Sequence, residues 1–116
     1  MRQGHPDFRE DMAGESLTSL LETLKSPNPA TKVSTLLKIA KVGRHQDWFV
    51  DQIVREAEDP SNEARDMGWR VADIAVYCLI ELDTQVALDA ALTILARWPK
   101  IDRSILLKGA HRLDLI

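Results

Sequence analysis

Three histidines, one cysteine and a run of carboxylates are the residues in this sequence whose types could do chemistry. His5, His45 and His111 stand far apart, and none lies three or four residues from a second ligand type in a way that builds a metal-binding helix face. His5-Pro6-Asp7 and His45-Gln46-Asp47 read as solvated loop pairs. Cys78, alone, permits no internal disulfide and no multi-cysteine metal knuckle. It falls on the apolar arc of a helix, where burial disfavours the thiolate that a nucleophile needs. The chain has no glycine-rich phosphate loop, no Gly-x-Ser-x-Gly elbow and no carboxylate pair beside an apolar pocket. The expectation is a protein that is not an enzyme and uses no cofactor or metal.

What remains is a charge pattern. On a helix drawn from about Asn62 to Leu82, Glu63, Asp66, Arg70, Asp73, Tyr77 and Glu81 fall within roughly 80° of one another. Nearly every other side chain there is apolar, so this helix is expected to be central and covered on several sides. Segment 59–83 carries −4, with Arg65 and Arg70 against six acids, whereas 84–116 carries +2. Flanking basic helices would exchange surface salt bridges with it, each under ~1 kcal/mol. Beyond that, Asp66, Arg70, Asp73, Tyr77 and Glu81 are the expected protein-binding residues, a dock for a basic segment of another protein with Tyr77 as aromatic anchor.

The elements that must position this stripe are helices. Of 116 residues, 45% are apolar and 28% charged, which suits one globular domain with no length for a second. Residues 1–15 lack periodicity and read as a flexible arm, too polar for a signal peptide; 16–116 form the domain. Ser16 can cap a first helix with Leu17, Leu20, Leu21 and Leu24 on one face. Asn28 caps a second that starts at Pro29, buries Val33, Leu36, Leu37 and Ala40 with Ile39 widening the stripe, and ends at Gly43. Its exposed positions are Thr31, Ser34, Thr35, Lys38 and Lys41. Asp47 can cap a third helix, carrying Phe49, Val50, Ile53, Val54 and Ala57. A fifth follows Asp83-Thr84 with Leu88, Ala91, Leu92 and Leu95 inward, and Trp98-Pro99 stops it. Asp102 can cap a sixth, carrying Ile105, Leu106, Leu113 and Ile116. Trp69 is expected in the core, and Trp48 and Trp98 as staples of turns. No segment alternates long enough to be a strand, so the chain reads as all-α.

A repeat is visible. Leu24-Lys25-Ser26-Pro27-Asn28-Pro29-Ala30-Thr31-Lys32 superposes on Ala57-Glu58-Asp59-Pro60-Ser61-Asn62-Glu63-Ala64-Arg65 at an offset of 33. Asp59-Pro60 followed by Ala64-Arg65, and Leu24 through Gly43, resemble the HEAT-repeat family of armadillo-like α-solenoids. Ser26 and Lys32 depart from the family's Asp and Arg, which weakens the turn-to-helix ion ladder that the resemblance implies. A third copy near Leu95–Leu113 keeps Pro99 alone. The resemblance implies an α-α superhelix of about six helices in three hairpins, with helices two, four and six as an inner layer used for binding. It also includes metal oxygenases built on His-Glu pairs, which this chain lacks.

The expected function is therefore a non-catalytic protein-protein interaction module or adaptor using the inner layer, in the cytoplasm. The alternative is a nucleic-acid-binding HEAT-like protein using Lys32, Lys38, Lys41, Arg44, Lys108 and Arg112, but a net charge of −3 and the acids of the fourth helix oppose phosphate. No apolar run approaches the ~18 residues of a membrane span. The apolar finish Leu113-Asp114-Leu115-Ile116 suggests packing back on the domain, or a homodimer through the C-terminal helix.

Overall fold

The computed structural model describes residues 17–63, 65–66 and 68–115, for 65 and 66 the backbone alone. The expected arm 1–15, the cap at Ser16, the pairing of Arg65 and the side chain of Asp66 lie outside what is described. The chain is all-α. Its described helices are α1 (17–23), α2 (Pro29–Val42), α3 (Val50–Glu58), α4 (Val71–Leu82), α5 (Gln85–Leu95) and α6 (Lys100–Gly109).

Local chemistry sets most of these starts. Asn28 Oδ1 accepts from the Thr31 N–H at 3.0 Å ahead of Pro29, and Thr84 Oγ1 accepts from the Ala87 N–H at 3.1 Å. Two expected caps are corrected. Phe49 occupies the N-cap of α3 with no side-chain bond, and Asp47 contributes only its carbonyl, to the Val50 N–H. Helix α6 starts at Lys100 behind Pro99, so Asp102 sits inside the first turn, where its charge complements the helix dipole.

The expected fourth helix is also corrected. Residues Pro60–Glu63 form a 3-10 turn, and Arg65–Asp66 pairs antiparallel with Trp69–Arg70 in a two-residue hairpin. Gly68 supplies the left-handed loop conformation, φ 89°, that a two-residue hairpin needs. Helix α4 begins only at Val71. It is the centre of the fold: it packs on α2, α3 and α5, and ten of its twelve residues are buried. Helix α2 lies against α4 and α3 against α5, the two-layer contact order of an α-α superhelix.

The layer α2, α4 and α6 runs in one direction. The His45 N–H, just beyond α2, donates to the Leu82 carbonyl that ends α4, at 2.7 Å. Arg112, just beyond α6, feels the charges of Glu81 and Asp83. At the other end Arg70 and Asp102 border one small hollow.

The core is aliphatic, with Phe49, Leu36, Ile39, Ile53, Leu79 and Leu107 fully enclosed. A polar knot crosses it. Lys32 Nζ donates to the Leu24 carbonyl at 2.6 Å and to Glu56 Oε1 at 2.8 Å, and Asn62 Nδ2 donates to the same Oε1 at 2.9 Å. The ammonium thereby ties the end of α1 and the start of α2 to α3. Lys32 and Thr35, expected or free to face solvent, are buried, while Leu37 is 41% exposed. The arc is rotated because α2 is flanked on more than one side. In α6 only Leu106 and Leu107 are buried; Ile105 is exposed, and Leu113 lies exposed in a closing 3-10 turn. Leu115 is half-buried against the core; Ile116 lies outside the described residues.

Candidate functional site

Most of the expected dock is committed to internal bonds. Asp73 is buried, and its carboxylate accepts from the Arg70 backbone N–H at 2.9 Å and from Arg70 Nη2 at 2.8 Å. The first of these bonds caps α4: a carboxylate in the opening turn takes an N–H that would otherwise have no helical partner. Arg70 Nη1 reaches Glu63 Oε1 at 3.1 Å, and its guanidinium lies 4.7 Å from the Trp98 ring centre. The hydrogen bonds that Arg70 donates to Asp73 hold its pKa above the ordinary value, ahead of the opposing effect of burial. Trp98 is thus half-buried beneath a cation, and staples the α5–α6 turn to the entry of α4.

Further along α4, Tyr77 and Glu81 follow Asp73 at successive i+4 positions. The Tyr77 hydroxyl donates to Glu81 Oε1 at 3.4 Å. Burial, then the neighbouring Glu81 charge, pushes the Tyr77 pKa up. The structure therefore brings Arg70, Asp73 and Glu63 together in one cluster and Tyr77 and Glu81 in another. Asp66 is on the hairpin rather than on a helix face.

Beside this stripe is a feature that periodicity did not reveal. Helices α2, α4 and α6 enclose an open groove of about 400 Å³ lined by Val33, Leu37, Trp69, Asp73, Ile74, Tyr77, Leu106 and Gly109. Val33, Leu37, Ile74 and Leu106 line it with aliphatic side chains, and Trp69 and Tyr77 with aromatic ones. Trp69 approaches Gly109 closely: a Cβ there would stand 3.0 Å from indole Cη2. The half-buried Trp69 forms one end of the groove and also lines a second hollow of about 150 Å³ with Asp102 and Ile105. The exposed Leu37 and Ile105 extend the apolar surface onto the two walls. One signal could have found it: Leu37 and Ile105 are apolar residues in excess of what their helices can bury.

The charged walls are uncommitted. Lys41, one turn beyond Leu37, and Lys108, beside Gly109, are exposed and form no ion pair among the described residues. Cys78 faces the core, fully buried, and its thiol pKa is pushed up to about 12 by burial. Among the described residues no three of His, Cys, Asp or Glu gather as a metal-binding group, and no helix is long and apolar enough to cross a membrane.

No protein-family model matches the chain, and no curated protein or solved structure matches it.

Proposed function

We propose that this chain is a non-catalytic interaction module, a HEAT-like solenoid that binds another protein along its inner helical layer. The observation that carries this reading is the open apolar groove between α2, α4 and α6, floored by Ile74 and Tyr77 and walled by Leu37 and Leu106. Exposed aliphatic and aromatic carbon gathered in one concavity, rimmed by charge, is the surface on which protein partners anchor. The five residues of the charge stripe contribute unequally. Tyr77 supplies contact area, whereas Arg70 and Asp73 hold the start of α4 in place and so fix the floor. The anchoring is therefore apolar, and the charged rim selects.

The test is affinity capture from the native host extract, with and without nuclease, using the parent and Leu37→Glu. Leu37 is already 41% exposed, so the substitution leaves the core intact. A stoichiometric protein that survives nuclease and is lost with Leu37→Glu is the expected result. Recovery that vanishes with nuclease would refute this reading in favour of nucleic-acid binding through the basic helices.

A further inference from the structure

We propose that the chain's own residues 1–16 occupy the groove, so that any partner must displace them. The inference goes beyond the interaction-module reading: it needs the groove but no partner, and it holds even where capture from an extract fails.

The first support is where the segment attaches. Ser19, Leu20 and Thr23 of α1 border one hollow with Lys38 and Val42, so the start of α1 lies beside the last turn of α2. Leu37 faces the groove and Lys38 that hollow, so the body of α2 alone separates the two. A helix is about 10 Å across, and residues 13–16 reach about 13 Å when extended. Met12 can therefore arrive at the Leu37 rim, with Phe8 beyond it in the groove. Phe8 and Met12 are the large apolar side chains of the segment after Met1, and Gly14 stands between them and α1. Tethering supplies an effective concentration of order 1 mM, so two apolar anchors suffice where a free peptide of the same sequence would bind weakly.

Charge selects the same occupant. The segment holds Asp7, Glu10, Asp11 and Glu15 against Arg2 and Arg9, a net −2, and its acids flank Phe8 and Met12. Helix α2 contains no acid; its Lys38 and Lys41 are exposed without ion pairs among the described residues. Helix α6 sets Lys100, Arg103 and Lys108 against Asp102. Against these stand Glu81 and the one negative charge left where Arg70 answers both Asp73 and Glu63. The balance around the groove stays positive. A second copy would bring the same basic walls together, whereas an acidic segment meets them with opposite sign.

The experiment is paramagnetic broadening in the full chain. Buried Cys78 stays unlabelled, so a nitroxide attaches at Gly4→Cys alone. The expected result is broadening of Trp69, Tyr77 and Leu106, lost with Phe8→Ser plus Met12→Ser and reduced by Lys38→Glu plus Lys41→Glu. As a second readout, a fluorescent peptide of residues 1–16 binds the double-serine chain about tenfold more tightly than the parent, whose groove is filled. Broadening that the double serine leaves unchanged, or equal peptide affinity for both chains, would overturn the proposal. So would broadening carried between labelled and unlabelled chains in a mixed sample, which assigns the groove to a second copy. Failure of the interaction-module reading shows differently: neither parent nor double-serine chain captures a protein, while the broadening persists.

Discussion

Replacing Lys32 by methionine keeps the side chain's length and apolar stem and deletes only its ammonium. The Lys32 side chain is 9% exposed and that of Glu56 17%, so neither charge is well solvated by bulk water. The substitution removes two hydrogen bonds, to the Leu24 carbonyl and to Glu56, each involving a charged group and so contributing about 1.5–3 kcal/mol. Removing one partner of a buried pair costs about 3–5 kcal/mol, because the other charge stays behind. Here Asn62 still serves Glu56 Oε1, which places the loss at the low end, about 3 kcal/mol. At roughly 4 °C per kcal/mol for a domain of this size, the melting temperature falls by about 12 °C. Urea unfolding followed by far-ultraviolet circular dichroism measures it, with an unchanged slope showing that the folded state is the same. Adding Glu56→Leu removes the stranded carboxylate and is expected to return most of the loss. A Lys32→Met protein within about 0.5 kcal/mol of the parent would refute the reasoning, since the knot would then contribute no more than an exposed pair.

Three further outcomes are expected. Gly43→Ala puts a Cβ 2.5 Å from Phe49 Cζ and 3.0 Å from the Ile39 carbonyl, both fixed in the core, and is expected to cost about 2–3 kcal/mol in urea unfolding. The Cys78 thiol is protonated to about 12 when folded against an ordinary 9.0, so its contribution to stability is complete below pH 9 and is lost as pH rises from there. Cys78→Ala is therefore expected to show a shallower alkaline loss of stability than the parent, whose thiol also stays unreactive to disulfide reagents until unfolding. Val71→Asp buries a carboxylate at a 1% exposed position in α4 and is expected to abolish folding by circular dichroism, whereas Thr93→Asp, exposed on α5, shifts the melting temperature by no more than a degree or two.

Helix identity was legible wherever one face dominated: Leu17, Leu21 and Leu24 are all buried, as are Ile53 and Ala57, and Asn28 and Thr84 cap as their types suggest. The start of α4 was not legible, because Trp69 and Met67 fall in phase with the apolar arc of the true helix. Against that phase stood one local cue, Gly68, whose positive φ a helix cannot use. Periodicity also counts an apolar residue as inward without asking how many neighbours a helix has. It therefore placed Leu37 inside and Thr35 outside, when the flanking of α2 by several helices reverses both. The site suffered from the same blindness. A wheel shows that Arg70 and Asp73 share a face, but not that a carboxylate in the first turn will turn back to cap its own helix. The match at offset 33 does not extend to the helix that follows it: Pro29 opens α2, whereas Pro60 opens a 3-10 segment and α4 begins only at Val71, after the hairpin.

The Lys32 knot has a dynamical corollary. It crosses from the first hairpin to the second, and α4 then packs on α2, α3 and α5, so the first two hairpins are bound to open together. Helix α6 has no such tie: it buries Leu106 and Leu107 and leaves Ile101 and Ile105 in solvent. Amide protons of α2 and α4 should therefore exchange only through global unfolding, and those of α6 through a cheaper, local opening. The groove then has one stiff wall and one compliant one, so its width is set at the moment of contact by how far α6 yields.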